Sequence, residues 1–145
     1  MLRAVGALII CQRTHRAMMQ LRSEEERHSL CWGFWGGKLK GKEGDLEGLK
    51  RELVEELGHP GVPDTIGISH IYTFTTRNRH FRHVSYAVLC EEEFNPILNN
   101  ESAGYCWVKI NSWPSPLHYN TGKMFKSRAF KETLKSILSD EFKIS

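Results

Sequence analysis

Three glutamates, Glu52, Glu55 and Glu56, crowd into the stretch KRELVEELG, residues 50–58. An α-helix turns about 100° per residue, so Glu56 lies about 40° from Glu52 around the axis and Glu55 about 60° to the other side. The three carboxylates share one arc. Like charges at these spacings destabilise a helix by roughly 0.2–0.5 kcal/mol per pair, and Lys50 and Arg51 offset part of that. Such a face is either a solvated acidic surface or a set of ligands for a hard cation. Mg²⁺ and Mn²⁺ take carboxylate, carbonyl and water oxygens, and Mg²⁺ commonly keeps few carboxylates while substrate phosphates complete its shell.

The elements around these acids position them. Leu46, Leu49, Leu53 and Leu57 fall three and four apart, which predicts an amphipathic helix over Asp45–Leu57 with the acids beside its apolar stripe. Gly44 or Asp45 can cap its start; Gly58 and then Pro60 stop it. Upstream, CWGFWGGKLKGKEG combines aromatic residues with glycines, which let a backbone pass close to a ligand. Strands are expected over residues 3–11, 17–21, 65–75, 81–90 and 105–110. A turn is expected at Thr14–Arg16, a loop over Ser23–Ser29 and irregular chain over residues 113–119. One closing helix is expected over Met124–Leu138, with Phe125, Phe130, Leu134, Ile137 and Leu138 as its apolar contacts. The alternation predicts an α/β (α+β) fold in which helices flank a sheet.

Gly37, five residues, Glu43, seven residues, then Arg51-Glu52-Leu53-Val54-Glu55-Glu56-Leu57-Gly58 resembles the Nudix box, the signature of the Nudix hydrolase family. Every polar and glycine position of that pattern is met; the final, usually aliphatic position is His59. The resemblance implies a Nudix-type α/β/α sandwich with a mixed β-sheet between helices. It implies hydrolysis of a nucleoside diphosphate linked to another moiety, through water attack at phosphorus with Mg²⁺ or Mn²⁺. Carried onto this chain, Glu52, Glu55 and Glu56 bind the metal, together with the carbonyl of Gly36. Gly37 and Glu43 support the site, and Arg51 orients the glutamates by ion pairing. In relatives the general base varies between a helix acid, here Glu52, and a loop acid; Glu101, six residues before Trp107, has the common spacing. The position before the two box-leading glycines, usually Pro, is Trp35. No clean substrate marker follows the box, where Phe74, Thr75, Thr76 and Arg77 stand. The substrate therefore stays open among nucleotide sugars, ADP-ribose-like compounds, dinucleotides and (d)NTPs.

Trp32, Phe34 and Trp35 are candidates for stacking on a base, and strand alternation places at least one of them in the core. TRNRHFRH, residues 76–83, forms either a solvated turn or a phosphate-contacting hairpin in which Arg77 and Arg79 are the contacts, because arginine binds phosphate bidentately. His80 and His83 lack the partners that would close a zinc site.

The 145 residues, 40% hydrophobic and 26% charged, suit one domain over 1–145 able to build a core. A net charge of +3 suits an anionic small molecule and does not call for nucleic acid. Monomer and homodimer stay undecided. Four cysteines without a CxxC pair read as reduced thiols, hence a cytoplasmic protein. AVGALIIC, residues 4–11, is too short to span a bilayer and lacks a cleavage site, so no membrane is implied. The alternative to an enzyme is a catalytically silent Nudix domain that senses nucleotides or acts as an interaction module.

Overall fold

The computed structural model of the protein describes residues 1–26 and 29–141. Its centre is β1 (Leu2–Cys11), whose residues alternate between two cores. Val5, Ala7, Ile9 and Cys11 point to one face, and Leu8 and Ile10 to the other. That alternation, with both sides apolar, is what a strand between two helical layers requires. A turn leads into β2 (Arg16–Arg22), antiparallel to β1 at Ile9↔Met18. The Gly-rich segment supplies two short strands absent from the sequence expectation, β3 (Trp32–Gly33) on β2 and β4 (Trp35–Lys38) on β1. After helix α1 (Asp45–Leu57) come β5 (Thr65–Thr75) and β6 (Phe81–Cys90), joined as an antiparallel hairpin. The last strand is β7 (Ser102–Lys109), which lies on β2 and begins earlier than the expected 105–110. β6 runs parallel to β1 from Leu2↔Phe81 to Cys11↔Cys90, so the sheet is mixed.

α1 covers one face. Leu49, Leu53 and Leu57 are buried there with Val88 and Trp35. Leu46, expected in the same stripe, is 46% exposed. The buried side of the helix is rotated toward Gly48, Glu52 and Glu56. Two helices cover the other face, α2 (Tyr119–Lys126) and α3 (Arg128–Glu141). They replace the single closing helix read from the periodicity. Ser127 ends α2 in an extended conformation, and its Oγ accepts the Phe130 N–H at 3.4 Å. A serine hydroxyl competes for backbone groups and starts a new helix where it caps one. The break lets Phe125 and Phe130 pack together at 5.3 Å between ring centroids. Ile137 and Leu138 pack at the margin of this core, where Leu134 is buried.

Of the loop expected over Ser23–Ser29, residues 27 and 28 lie outside the described residues. Ser23 to Glu26 forms a turn closed by the Glu26 N–H on the Ser23 carbonyl at 3.2 Å. Among the described residues no helix is long and apolar enough to cross a membrane.

Candidate active site

The box acids do not simply line a solvated edge. Glu56 is 1% exposed and Glu52 8%. A carboxylate is driven into such a place only where donors meet it. For Glu56 they are backbone and side-chain amides: the Gly36 N–H donates to Oε1 at 2.6 Å and Gln20 Nε2 to Oε2 at 2.9 Å. Gln20 also donates to Ser102 Oγ at 2.8 Å, so one buried amide joins β2, α1 and the start of β7. Sequence reasoning missed Gln20. Its signal is a lone amide inside the apolar run AMMQL.

Two glycines of β4 let the helix acids approach the sheet. At Gly36 the backbone has φ +138°, and a Cβ would lie 2.1 Å from the Val5 carbonyl oxygen. At Gly37 a Cβ would lie 2.7 Å from the Glu52 carboxylate carbon. Because the obstructing atoms end a flexible side chain, Gly37→Ala is expected to displace Glu52 at little cost to folding. Displacing one supporting contact of a metal ligand typically lowers activity about 10- to 100-fold. Steady-state kinetics beside a thermal melt checks this, and unchanged kcat/KM would remove Gly37 from the site.

Arg51 organises the remaining acids. Its Nε and Nη2 grip Glu43 in a fork at 2.7 and 2.9 Å. Nη1 donates to Glu52 Oε1 at 3.0 Å and Glu55 Oε1 at 3.1 Å, and Nη2 also reaches the Lys38 carbonyl at 3.1 Å. The planar guanidinium suits this, since it presents five donors in fixed directions. The loop before β7 is stapled to the end of α1: the Ile97 N–H donates to the Leu57 carbonyl at 2.8 Å and Asn99 Nδ2 to the Glu55 carbonyl at 3.0 Å. Asn99 Oδ1 in turn accepts the Glu101 N–H at 2.9 Å. Glu101 is thereby held close enough to Glu52, Glu55 and Glu56 for their charges to interact.

The electrostatics separate the acids by environment. Burial raises Glu56 to about 8, with the charges of Glu101 and Glu52 adding to it. Burial also raises Glu52, against the pull of Arg51. Glu101 is raised by burial and then by Glu26, Glu52 and Glu55. Glu43 goes the other way, down to about 2, because it accepts from Arg51 and from the Lys40 N–H. The guanidinium of Arg51 is itself pushed further up by Glu43. Glu52 and Glu56, buried together with raised proton affinity, fit a hard divalent cation, which would relieve the same repulsion. Among the described residues, no three metal-binding side chains converge tightly enough to enclose an ion alone.

Beside Gly36 and Gly37 opens a cavity of about 480 Å³ whose lining includes Arg22 and Lys38, Phe34, Phe74, His83 and Asn120. Of the sequence-predicted substrate contacts, Trp35 contributes to the cavity lining, but its side chain is packed into the core. It is fully buried in the α1 core, and its Nε1 donates to the Met18 carbonyl at 3.0 Å. Its neighbour Phe34, the single residue between β3 and β4, packs toward the other core and lines the cavity. Arg77 and Arg79 stand exposed in the β5–β6 turn and do not line the cavity. Of that basic segment, Arg82 pairs with Asp45 at 3.0 Å, and His83 enters the cavity wall.

The profile of the NUDIX domain matches residues 1–127. Among solved structures, the MutT Nudix hydrolase from Burkholderia pseudomallei superposes with a TM-score of 0.64 at 21% identity, covering 87% of this chain and 96% of that one. RenU, a Nudix hydrolase from M. smegmatis, gives 0.72 at 16% identity, over 94% and 85%. The Nudix domain of Shewanella oneidensis NrtR, solved with ADP ribose, gives 0.69 at 17%, over 94% and 88%. At these identities the likeness is one of fold. No curated protein matches in sequence. The mixed sheet between helices, the box with all its polar and glycine positions met, and the match over residues 1–127 lead to one conclusion: the chain belongs to the Nudix hydrolase family.

Proposed function

We propose that this Nudix hydrolase cleaves the pyrophosphate bond of a nucleoside diphosphate linked to another moiety, with Mg²⁺ or Mn²⁺ held by Glu52, Glu55, Glu56 and the Gly36 carbonyl. The observation that carries this reading is the convergence of buried Glu52 and Glu56 on Gly36 and Gly37, two glycines that line a cavity together with Arg22 and Lys38. When bound, the metal neutralises the diphosphate and lowers the pKa of a coordinated water. The chain's own residues do the rest. Arg51 fixes the directions of Glu52 and Glu55, and Glu43 fixes Arg51. Lys38 and Arg22 attract phosphate oxygens to the cavity. Water forms the new P–O bond, the bridging P–O bond breaks, and the water's proton passes to a carboxylate.

Glu101 is our choice for that proton and Glu52 its rival. Burial leaves Glu101 a better proton acceptor than an ordinary carboxylate. Glu101→Gln is expected to lower kcat roughly a hundredfold, with Mn²⁺ affinity by calorimetry unchanged. Glu52→Gln should weaken both. If Glu101→Gln keeps full kcat, the role passes to Glu52. Four free thiols support a reducing, cytoplasmic setting.

The test of the function is turnover of (d)NTPs, ADP-ribose, nucleotide sugars, dinucleoside polyphosphates, FAD and NADH with Mg²⁺ or Mn²⁺, products identified. Binding without turnover across the whole panel would point instead to a silent nucleotide sensor.

A further inference from the structure

Aromatic side chains and the cationic Arg22 and Lys38 share the wall of the cavity beside Gly36. Phe34, Phe74 and Phe81 line it with His83, and among its described lining residues there is no carboxylate. The aromatic rings suit a nucleobase, and the two cations suit its phosphates. This step rests on the function proposed above and concerns which base is taken.

In that wall His83 is held from three sides. Its ring stacks on Phe74 with 5.5 Å between centroids and 13° between planes. On the other side it lies over the bare Cα of Gly6, where a Cβ would come within 3.0 Å of Cε1 and 3.2 Å of Nε2. The register of the parallel pair β1–β6 sets Gly6 opposite Ser85. Ser85 is fully buried and hydrogen-bonds His83 Nδ1 at 3.3 Å. Nδ1 is thus engaged, and no described residue hydrogen-bonds Nε2. The other imidazole of the wall is committed elsewhere: His118 Nδ1 accepts the Asn120 N–H at 3.2 Å and caps α2. Asn120 itself is exposed. Burial, and then the charge of His118, hold His83 down at about 4, so the ring is neutral at physiological pH. A neutral imidazole does not compete for phosphate; it offers one donor or one acceptor, whichever the Ser85 hydroxyl leaves at Nε2.

We propose that His83 is the base-reading residue of this enzyme, forming one hydrogen bond through Nε2 to the edge of a single nucleobase seated in this cavity. Phe74 and Gly6 fix the ring, and Ser85 occupies Nδ1. A site built around one such bond rejects the wrong edge, because a buried polar atom is then left unpaired.

The test uses the full chain and the four nucleoside 5′-monophosphates of adenine, guanine, cytosine and uracil, titrated by calorimetry. The wild type is expected to bind its preferred base roughly tenfold tighter than the poorest. His83→Phe keeps the stack and the volume, and should bind all four within about threefold of one another. Gly6→Ala, which pushes the ring, should flatten the preference in the same direction. On the wild type alone, the preferred nucleotide should shift the His83 imidazole nitrogen resonances. A preference order that survives in His83→Phe overturns the proposal. So does a wild type that binds all four alike or none, or one whose His83 signals do not move. Hydrolysis of diphosphates without base preference would overturn this inference and leave the function standing. Absence of any diphosphate turnover would overturn the function, while the monophosphate titration would still decide the role of His83.

Discussion

Glu56→Gln is expected to abolish activity and at the same time stabilise the metal-free protein at pH 8. Both effects come from the same burial. With its folded-state pKa raised to about 8, Glu56 binds a proton more readily in the folded chain than in the unfolded one. Stability from this group is therefore fully present below about pH 4.5 and is lost as pH rises through 8. A shift of this size corresponds to roughly 5 kcal/mol. Glutamine carries no charge to desolvate, and the neighbourhood can accept it. The Gly36 N–H can donate to the new amide oxygen. Gln20 can turn its own amide so that its oxygen accepts from the new NH₂ and from the Ser102 hydroxyl. In EDTA at pH 8 the melting temperature should rise by roughly 10–20 °C, and at pH 4 the two proteins should melt together. Hydrolysis should fall at least roughly a hundred- to a thousandfold, because a charge that acts on the transition state is gone. A variant that melts lower than wild type at pH 8 in EDTA would sink the account of Glu56.

Trp35→Ala has the largest expected effect on folding. Truncating a fully buried tryptophan costs about 3–5 kcal/mol, and here the Met18 carbonyl also loses its donor. Against a total of roughly 5–15 kcal/mol, that leaves a marginal protein. Trp35→Phe should lose much less, since the ring volume largely stays. Urea unfolding gives the comparison. A substrate-stacking Trp35 would behave the opposite way, with an unchanged midpoint and a raised KM.

These two residues also mark how far the sequence reads. The spacing from Gly37 through Glu43 to Gly58 identifies the acids, because no ordinary helix needs that pattern. It does not reveal how deeply each acid sits. The leucine stripe placed Glu52 and Glu56 at the edge of the contact with Leu46 inside. Gly36 and Gln20 meet the helix with polar groups, and those draw the glutamates in while Leu46 turns out. Period-2 alternation says that Phe34 and Trp35 part company, but which faces the core depends on which side α1 covers. The break at Ser127 is hidden because the apolar period runs on through it. Arg77 and Arg79 carry the right chemistry at a turn that does not reach the cavity. His83 lies in the same segment, six residues beyond Arg77, and its role depends on the strand register with β1.

The parallel pairing of β1 with β6 has a consequence for synthesis. Leu2 pairs with Phe81 and Cys11 with Cys90, so the first strand made waits for partners about 80 residues behind it. Until then its two apolar faces, Val5 to Cys11 and Leu8 to Ile10, have no finished sheet to enter. Contacts at such separation close slowly and leave nascent strands open to aggregation. Gln20, Gly36, the glutamates of α1 and the loop at Glu101 lie on both sides of that delay. Ribosome-bound chains ending before β6 should therefore carry a complete box without a working site, and they are the species for which a chaperone would compete.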